Sequence, residues 1–287
     1  MHITRYADAG GAPFIAVTTD DGMVRPIGVP SLADLLARPL AEIRDLVTRV
    51  AEANTAATVD SPLRTLPPVD GATEVWASGV TYKRSREARV EESGDGDVYT
   101  RVYDARRPEL FFKSVAWRVV GDGDPIAVRA DSESNTPEPE LALVLNADAE
   151  LVGLTVCDDV SSRSIEGANP LYLPQAKVYT ASCALGPAIR PSWEIEDPTN
   201  LAITGTILRD GVPVWEASTS TALLHRRLDD LVEHLFRAMA FPAGVVLSTG
   251  TGIVPDLALS LSEGDSVRIE IEHVGVLTNP VVRTGRP

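Results

Sequence analysis

A short acidic repeat next to an apolar run constrains this chain more than any other feature of its sequence. Residues 137–145 read Pro-Glu-Pro-Glu followed by five aliphatic residues, and a second apolar run follows at 151–157. Two such runs separated by a short connection predict two neighbouring strands of a hairpin. Alternate side chains of a strand point to one face, so Glu138 and Glu140 are expected to share a face. Asp159, which follows the second run, would then lie one hairpin away.

These three carboxylates are candidate metal ligands. Carboxylates held close together repel each other and raise each other's pKa. A hard divalent cation removes that repulsion, and Mg²⁺ or Ca²⁺ prefers oxygen ligands of this kind. Ordinary surface acids are the alternative, because the chain contains 41 Asp and Glu residues. The Glu-x-Glu spacing alone does not decide between the two interpretations.

The remainder of the chain predicts a mostly β protein of the α+β class. Residues 1–68 read as a small N-terminal α+β domain with a hairpin around 20–22 and two helices separated at Pro39. Proline-rich residues end that domain, and 69–287 would form the β-rich catalytic domain. There, β-rich runs alternate with turns and predict a double-sheet core, interrupted by one amphipathic helix from Leu228. The predicted strands include 74–78, 117–120, 126–129, 201–208, 212–216, 245–249 and 267–272.

Charge and composition exclude several classes of protein. The net charge is −15 and the pI about 4.7, which argues against nucleic-acid binding because phosphate contacts need a basic surface. No apolar run reaches the length of a membrane span, and the first residues lack the pattern of a signal peptide. We therefore expect a cytoplasmic protein with no membrane partner. Cys157 and Cys183 are expected to be reduced and buried.

Two segments carry further candidate groups for catalysis and binding. Lys177 follows Pro-Gln-Ala, and an ammonium close to a divalent cation is expected to have a lowered pKa, which would suit an acid or base. A lysine at the surface is the alternative interpretation. The Thr-Gly-Thr-Gly segment at 249–252 offers N–H groups and hydroxyls that could hold a carboxylate. An ordinary turn is the alternative there.

Two other segments place charges in unusual settings. Residues 79–89 contain four basic residues in an acidic chain, and they predict either a solvated helix with Arg/Glu pairs or a cationic lid over an anionic substrate. Glu109 and Lys113 are embedded in an apolar strand. Burying a lone charge is costly, so these two residues imply a ligand or, equally, a simple mutual ion pair.

Together these motifs resemble the fumarylacetoacetate hydrolase superfamily. The matching segments are Pro-x-x-Phe-x-Lys at 108–113, Glu-Pro-Glu-Leu at 138–141, Gly-x-Thr-Val-x-x-Asp-Val-Ser-x-Arg at 153–163 and Thr-Gly-Thr-Gly at 249–252. The resemblance implies a folded β-roll, a homodimer or homotetramer, and Mg²⁺ (or Mn²⁺ or Ca²⁺) held by residues matching Glu138, Glu140 and Asp159. The small-molecule substrate would be a 2-oxo acid.

The resemblance is strongest to the sugar-acid branch, the 2-keto-3-deoxy-D-arabinonate dehydratases, through residues 79–89, 107–113, 164–177 and 247–255. Hydrolases of the superfamily carry Tyr-x-x-His-x-x-Glu to activate water. Counting from Tyr82, this chain has Ser85 and Ala88 at the last two positions. We therefore expect dehydration of a 2-keto-3-deoxy pentonate to 2-oxoglutarate semialdehyde. An acylpyruvate or fumarylpyruvate hydrolase is the first alternative, and a non-enzymatic sugar-acid sensor is the second.

The resemblance also implies roles for individual residues. Glu109 and Lys177 would be the catalytic base and acid, in an order that the sequence leaves open. The residues expected to contact the substrate are Tyr82, Lys83, Ser85, Arg86, Lys113, Gln175, Gly250 and Thr251.

Overall fold

Strands dominate the architecture of the computed structural model, which describes residues 1–53, 63–92 and 96–285. Most of them belong to an 11-stranded mixed sheet or to a five-stranded sheet, and a two-stranded ladder joins two short strands. The predicted mostly β, α+β class is therefore confirmed, and the two large sheets match the predicted double-sheet core.

The strands divide between the sheets as follows. The large sheet contains β1 (His2–Ala7), β2 (Pro13–Thr18), β3 (Val24–Pro26), β4 (Arg64–Leu66), β5 (Glu74–Gly79), β6 (Glu109–Val115), β9 (Pro139–Leu145), β10 (Leu151–Asp159), β12 (Cys183–Leu185), β13 (Ala188–Pro191) and β16 (Val245–Thr251). The five-stranded sheet contains β7 (Ile126–Arg129), β14 (Ala202–Arg209), β15 (Val212–Ser220), β17 (Ser266–Ile271) and β18 (Gly275–Thr284). The ladder pairs β8 (Asn135–Thr136) with β11 (Ser161–Ser162).

The helices are short and lie between these strands. They are α1 (Leu32–Leu36), α2 (Leu40–Glu52), α3 (Lys83–Glu92), α4 (Gly96–Asp104), α5 (Arg163–Ala168), α6 (Leu173–Lys177) and α7 (Leu228–Phe236). Within the described part of the chain, no helix has the length and apolar character needed to cross a bilayer.

Strand β9 lies between the two hydrophobic cores of the molecule. It pairs with β10 on one side and β16 on the other, and all of its residues are buried. Leu143 packs in a core shared with the five-stranded sheet and α7, whereas Val144 packs in a second core shared with α1 and α2. Because both faces of the strand are covered, residues on both faces are apolar, and residues 141–145 form a continuous apolar run. The pleat places Glu140 on the same face as Val144.

The N-terminal residues form the predicted elements. The two helices separated at Pro39 are confirmed as α1 and α2, and Ser31 caps α1 by accepting a hydrogen bond from the N–H of Asp34. The predicted hairpin is confirmed by the pairing of β2 with β3. Strand β1 pairs with β13, so these strands extend the large sheet. The predicted boundary between two domains at residue 68 stays a prediction.

The strand predicted at 117–120 is wrong. The chain forms a 3₁₀ turn at Ala116–Arg118, and the N–H of Val119 donates to the carbonyl of Ala116 at 3.3 Å. Trp117 is 79% exposed. A large apolar side chain usually supports a strand only when it packs against a neighbouring sheet surface, and Trp117 has no such cover.

We predict that Leu143→Ala destabilises the protein by about 2–5 kcal/mol, because a buried leucine at the centre of the sheet would leave a cavity. The side chain of Leu143 is 1% exposed. The measurement is the free energy of unfolding from urea titration. Leu223→Ala is the matched control, since Leu223 is 65% exposed. Equal effects of the two substitutions would contradict the position assigned to β9.

Candidate active site

The three candidate metal ligands converge at the start of β9 and the end of β10. One carboxylate oxygen from each of Glu138, Glu140 and Asp159 lies within 4.8 Å of the others, and all three residues are buried. The antiparallel pairing of the strands causes this convergence, because Glu140 lies opposite Cys157, two residues before Asp159. We call these three residues the carboxylate cage. Its all-oxygen donors and its spacing fit a hard divalent cation.

Glu140 is held in place by two donors from β16. The hydroxyl of Ser248 and the N–H of Gly250 donate to Oε2 of Glu140 at 2.5 and 2.8 Å. The register of β16 shifts between Ser248 and Thr251, and Gly250 adopts a φ of +90° within that irregularity. A Cβ on Gly250 would overlap the hydroxyl of Thr81. The glycine therefore places an N–H beside the cage where another residue would not fit.

The electrostatics of the cage are uneven. Burial, and then the negative charges of Asp159 and Glu138, raise the pKa of Glu140 well above its ordinary value. Burial would also raise the pKa of Glu138, but Lys177 and Arg89 outweigh it and lower that pKa to about 2. The protein's own cations thus stabilise the charge of Glu138, while the charge of Glu140 is left uncompensated. That remaining negative charge is what a divalent cation would neutralise.

Lys177 projects from α6 into the cage. Its Nζ donates to Oε2 of Glu138 at 2.8 Å and to Oδ2 of Asp159 at 3.1 Å. Burial alone would lower the pKa of the ammonium, but the two carboxylates outweigh it and raise that pKa. The expectation of a lowered pKa concerns a cage that holds a divalent cation, so it stays a prediction. In this arrangement Lys177 is a charged hydrogen-bond donor.

Lys113 lies behind the cage. It is fully buried, and its Nζ lies 2.5 Å from Oδ1 of Asp159. It also donates to the carbonyls of Val160 at 3.1 Å and Lys177 at 2.6 Å. All three contacts of the Lys113 ammonium are with protein atoms. Lys113 therefore orients Asp159 and holds the backbone at Lys177. It does not line the cavity described below.

Glu109 enters the site from the first residue of β6. It lies opposite Gly79 of β5, and a Cβ at Gly79 would overlap the carboxylate of Glu109. Burial raises the pKa of Glu109, which Arg89 and Lys177 partly oppose. The missing side chain at Gly79 thus makes room for an ionisable group beside the cage, and that group is a better base than an ordinary glutamate.

A small cavity joins these groups. Its volume is about 20 Å³, which is room for about one water molecule. A five-carbon acid needs more space, so some lining side chains must move when such a ligand binds. The lining residues are Ser78, Gly79, Val80, Ser85, Arg89, Glu109, Phe111, Glu138, Glu140, Asp159, Glu166, Lys177 and Thr251.

The other predicted contact residues are distributed around this cavity. Ser85 and Thr251 line it, and Gly250 acts through Glu140. The ring of Tyr82 is buried beside Gly252 and does not line it. Lys83 is exposed and pairs with Glu87 at 3.7 Å.

Two more of the predicted residues also lie away from the cavity. Arg86 stacks on Tyr103, with its guanidinium carbon 4.7 Å from the ring centroid. Gln175 is exposed at the surface, and its carbonyl accepts a hydrogen bond from Arg129.

Sequence reasoning missed two charged residues of the cavity, Arg89 on α3 and Glu166 on α5. The guanidinium of Arg89 pairs with Glu166 and donates to Oε1 of Glu138 at 2.8 Å. Both lie inside the segments that carry the resemblance, 79–89 and 164–177. Their charge within these segments was the one indication that the sequence offered. Nothing in the local sequence shows that Arg89 and Glu166 are in contact.

Comparisons with known proteins agree on one family. The fumarylacetoacetate (FAA) hydrolase C-terminal family matches residues 74–282. A protein of Haloferax volcanii named probable 2-keto-3-deoxyxylonate dehydratase is 46% identical over 273 residues, covering 92% of this chain and 91% of that relative. The 2-dehydro-3-deoxy-D-arabinonate dehydratase of Saccharolobus solfataricus is 44% identical over 223 residues, covering 76% of this chain and 74% of that relative.

The fold agrees with a solved structure as well. A 2-keto-3-deoxy-D-arabinonate dehydratase complexed with magnesium and 2,5-dioxopentanoate has a TM-score of 0.83 and 34% identity, and the match covers 100% of both chains. This agreement confirms the folded β-roll expected from the motifs. The chain is a member of the fumarylacetoacetate hydrolase family.

Proposed function

We propose that this protein is a metal-dependent dehydratase that converts a 2-keto-3-deoxy pentonate to 2,5-dioxopentanoate (2-oxoglutarate semialdehyde) and water. The observation that carries the proposal is the carboxylate cage with Glu109 and Lys177 in one buried cavity. The relatives that are 46% and 44% identical are named as dehydratases of such acids. One solved neighbour holds magnesium and the proposed product.

In this proposal Glu138, Glu140 and Asp159 hold Mg²⁺, and Mn²⁺ or Ca²⁺ would fit the same oxygen donors. The chemistry that a divalent ion supplies here is positive charge beside the keto group, which makes the neighbouring C3 protons more acidic. The ion also brings the cage closer to charge balance, since burial destabilises the ionised form of Glu140. Asp159 and Glu138 are fixed by Lys113, Lys177 and Arg89 in the orientation that this role requires.

The geometry favours Glu109 as the base and Lys177 as the acid. Glu109 is half-buried, and desolvation raises its pKa, so it accepts a proton more readily than an exposed glutamate does. Lys177 holds its protons between two carboxylates and acts as a donor. Glu109 therefore takes a proton from C3, hydroxide leaves C4, and Lys177 supplies hydrogen bonds to the developing negative charge. The resulting 5-hydroxy-2-oxopent-3-enoate is an isomer of 2,5-dioxopentanoate, and it becomes the aldehyde when C5 and its hydroxyl each lose a proton and C3 and C4 each gain one. The proton and hydroxide lost from the substrate together make one water molecule.

The hydrolase alternative lacks the histidine–glutamate pair that activates water in that branch, so Glu87 or Glu109 would have to replace it. The two positions that hold a histidine and a glutamate in the hydrolases are Ser85 and Ala88 here. No histidine lines the cavity within the described residues. Arg89, on the next position of α3, stays protonated and cannot serve as a base. These features favour elimination of a hydroxyl over addition of water.

We also propose a cytoplasmic location and a homodimeric or homotetrameric assembly, with no nucleic-acid partner. The net charge of −15 supports the last statement. Val212 and Val214 on β15, at the edge of the five-stranded sheet, are 62% and 43% exposed. An uncovered apolar edge strand of this kind favours association with a second copy.

We expect purified protein with Mg²⁺ to convert 2-keto-3-deoxy pentonates to a product that has lost one water, as read by mass spectrometry. EDTA should abolish the conversion, and added Mg²⁺ should restore it. The panel should include both C4 stereoisomers together with acylpyruvates. Release of pyruvate from acylpyruvates without dehydration of any pentonate would contradict the proposal and favour the hydrolase.

Glu140→Gln is predicted to weaken Mg²⁺ binding at least ~10-fold, because an amide keeps the hydrogen bonds from Ser248 and Gly250 but loses a charged ligand. Isothermal titration with Mg²⁺ measures the effect directly. Glu263→Gln is the control, since Glu263 is exposed. Unchanged affinity in the Glu140 variant would place the ion elsewhere.

Glu109→Gln is predicted to slow exchange of C3 protons by about 10²–10⁴-fold, the usual contribution of a general base. The probe is 2-oxopentanoate in D₂O with Mg²⁺, followed by NMR, because this acid has C3 protons but no leaving hydroxyl. Mg²⁺ affinity of the variant should stay within ~3-fold of wild type, since Glu109 is not part of the cage. Exchange at the wild-type rate would transfer the role of base to another group.

A further inference from the structure

Beside the cage, Glu109 and Lys177, the cavity is lined by two further charged side chains. They are Arg89 and Glu166, and their side chains are 14% and 4% exposed. Desolvation makes a buried ion pair a weak source of stability. Arg89 joins α3 to α5 across 77 residues of chain and also donates to the cage ligand Glu138. A role in ligand recognition explains the pair better than a role in folding.

The position of the pair relative to the cage is defined by Arg89. One end of its guanidinium donates to Glu138, and the other end pairs with Glu166. The guanidinium group of Arg89 therefore bridges Glu166 and the cage ligand Glu138, and both carboxylates line the same cavity. A pentonate held at the cage by its carboxylate and keto oxygens extends from there by a carbon chain of comparable length. Its C4 and C5 hydroxyls are the groups that can reach the pair.

The chemistry of the pair matches hydroxyl groups. A carboxylate accepts from an O–H, and a guanidinium donates to a hydroxyl oxygen. Ser85 lines the same cavity, and its hydroxyl, which already donates to the carbonyl of Tyr82 at 2.8 Å, can accept a further hydrogen bond. Burial raises the pKa of Glu166 to about 7, despite the opposing charge of Arg89. The surroundings are therefore poorly solvated, and hydrogen bonds in such surroundings discriminate strongly between ligands.

Resting on the proposed function, we infer that Arg89 and Glu166 bind the distal hydroxyls of the substrate and determine the preference for hydroxylated 2-keto acids. A 2-keto acid with a plain alkyl end would leave these buried groups without a ligand partner. Sites built to bind a hydroxyl reject the analogue that lacks it far more strongly than apolar pockets reject a missing methylene. The pair therefore sets substrate class, while the cage binds any 2-keto acid.

Two ligands that the enzyme cannot dehydrate test this inference by isothermal titration in Mg²⁺. They are 2-oxopentanoate and 5-hydroxy-2-oxopentanoate, which share the carbon skeleton and lack a C4 leaving group. Wild-type protein should bind the hydroxylated acid at least ~10-fold more tightly. Glu166→Gln should reduce that preference to below ~3-fold and change the affinity for 2-oxopentanoate less. Arg89→Lys, which keeps the charge but loses the planar fork, should reduce it too.

Controls separate recognition from other effects. Glu233→Gln removes an exposed glutamate that pairs with Arg237, and it should keep the full preference. A parallel Mg²⁺ titration reports on the cage. An equal loss of affinity for both acids, a preference that survives in both cavity variants, or no preference in wild type would each overturn the inference. If wild type shows the preference but dehydrates no pentonate, the proposed reaction fails while the recognition role stands.

Discussion

The site depends on the balance of charge inside a buried cluster of carboxylates. Lys177 and Arg89 lower the pKa of the buried Glu138, and Lys177 and Lys113 form ion pairs with Asp159. Without such partners, desolvation would protonate the acids and destroy the donor set. Glu140 receives hydrogen bonds from the neutral donors Ser248 and Gly250, whereas the three cations pair with Glu138 and Asp159, so the charge of Glu140 has no ion-pair partner among the described contacts. That unpaired charge is the physical basis for a divalent ion.

The sheet supplies the rigidity that this balance requires. Strand β9 is covered on both faces and paired on both edges, so Glu140 projects from one of the most constrained segments of the chain. The irregularity in β16 then turns the N–H of Gly250 toward that carboxylate. Irregular strand geometry of this kind commonly re-aims a donor beside an active site.

Local sequence patterns predicted much of the scaffold and part of the site. Period-two spacing placed Glu138 and Glu140 on one face, and the structure brings Asp159 to them. The motifs also named Glu109 and Lys177, and both line the cavity. The sequence does not reveal which carboxylates surround Lys177, and these carboxylates raise its pKa.

The sequence by itself determined which ionisable side chains are present and which of them share a face of a strand, because residue type and strand periodicity act over a few positions. What only the tertiary structure decided was which charges meet. Lys113 lies behind the cage although its motif suggested a contact with the ligand. Arg89 reaches Glu166 across 77 residues of chain. Such contacts depend on how distant strands and helices pack together, and burial then sets the strength of each charge, so no local pattern encodes them.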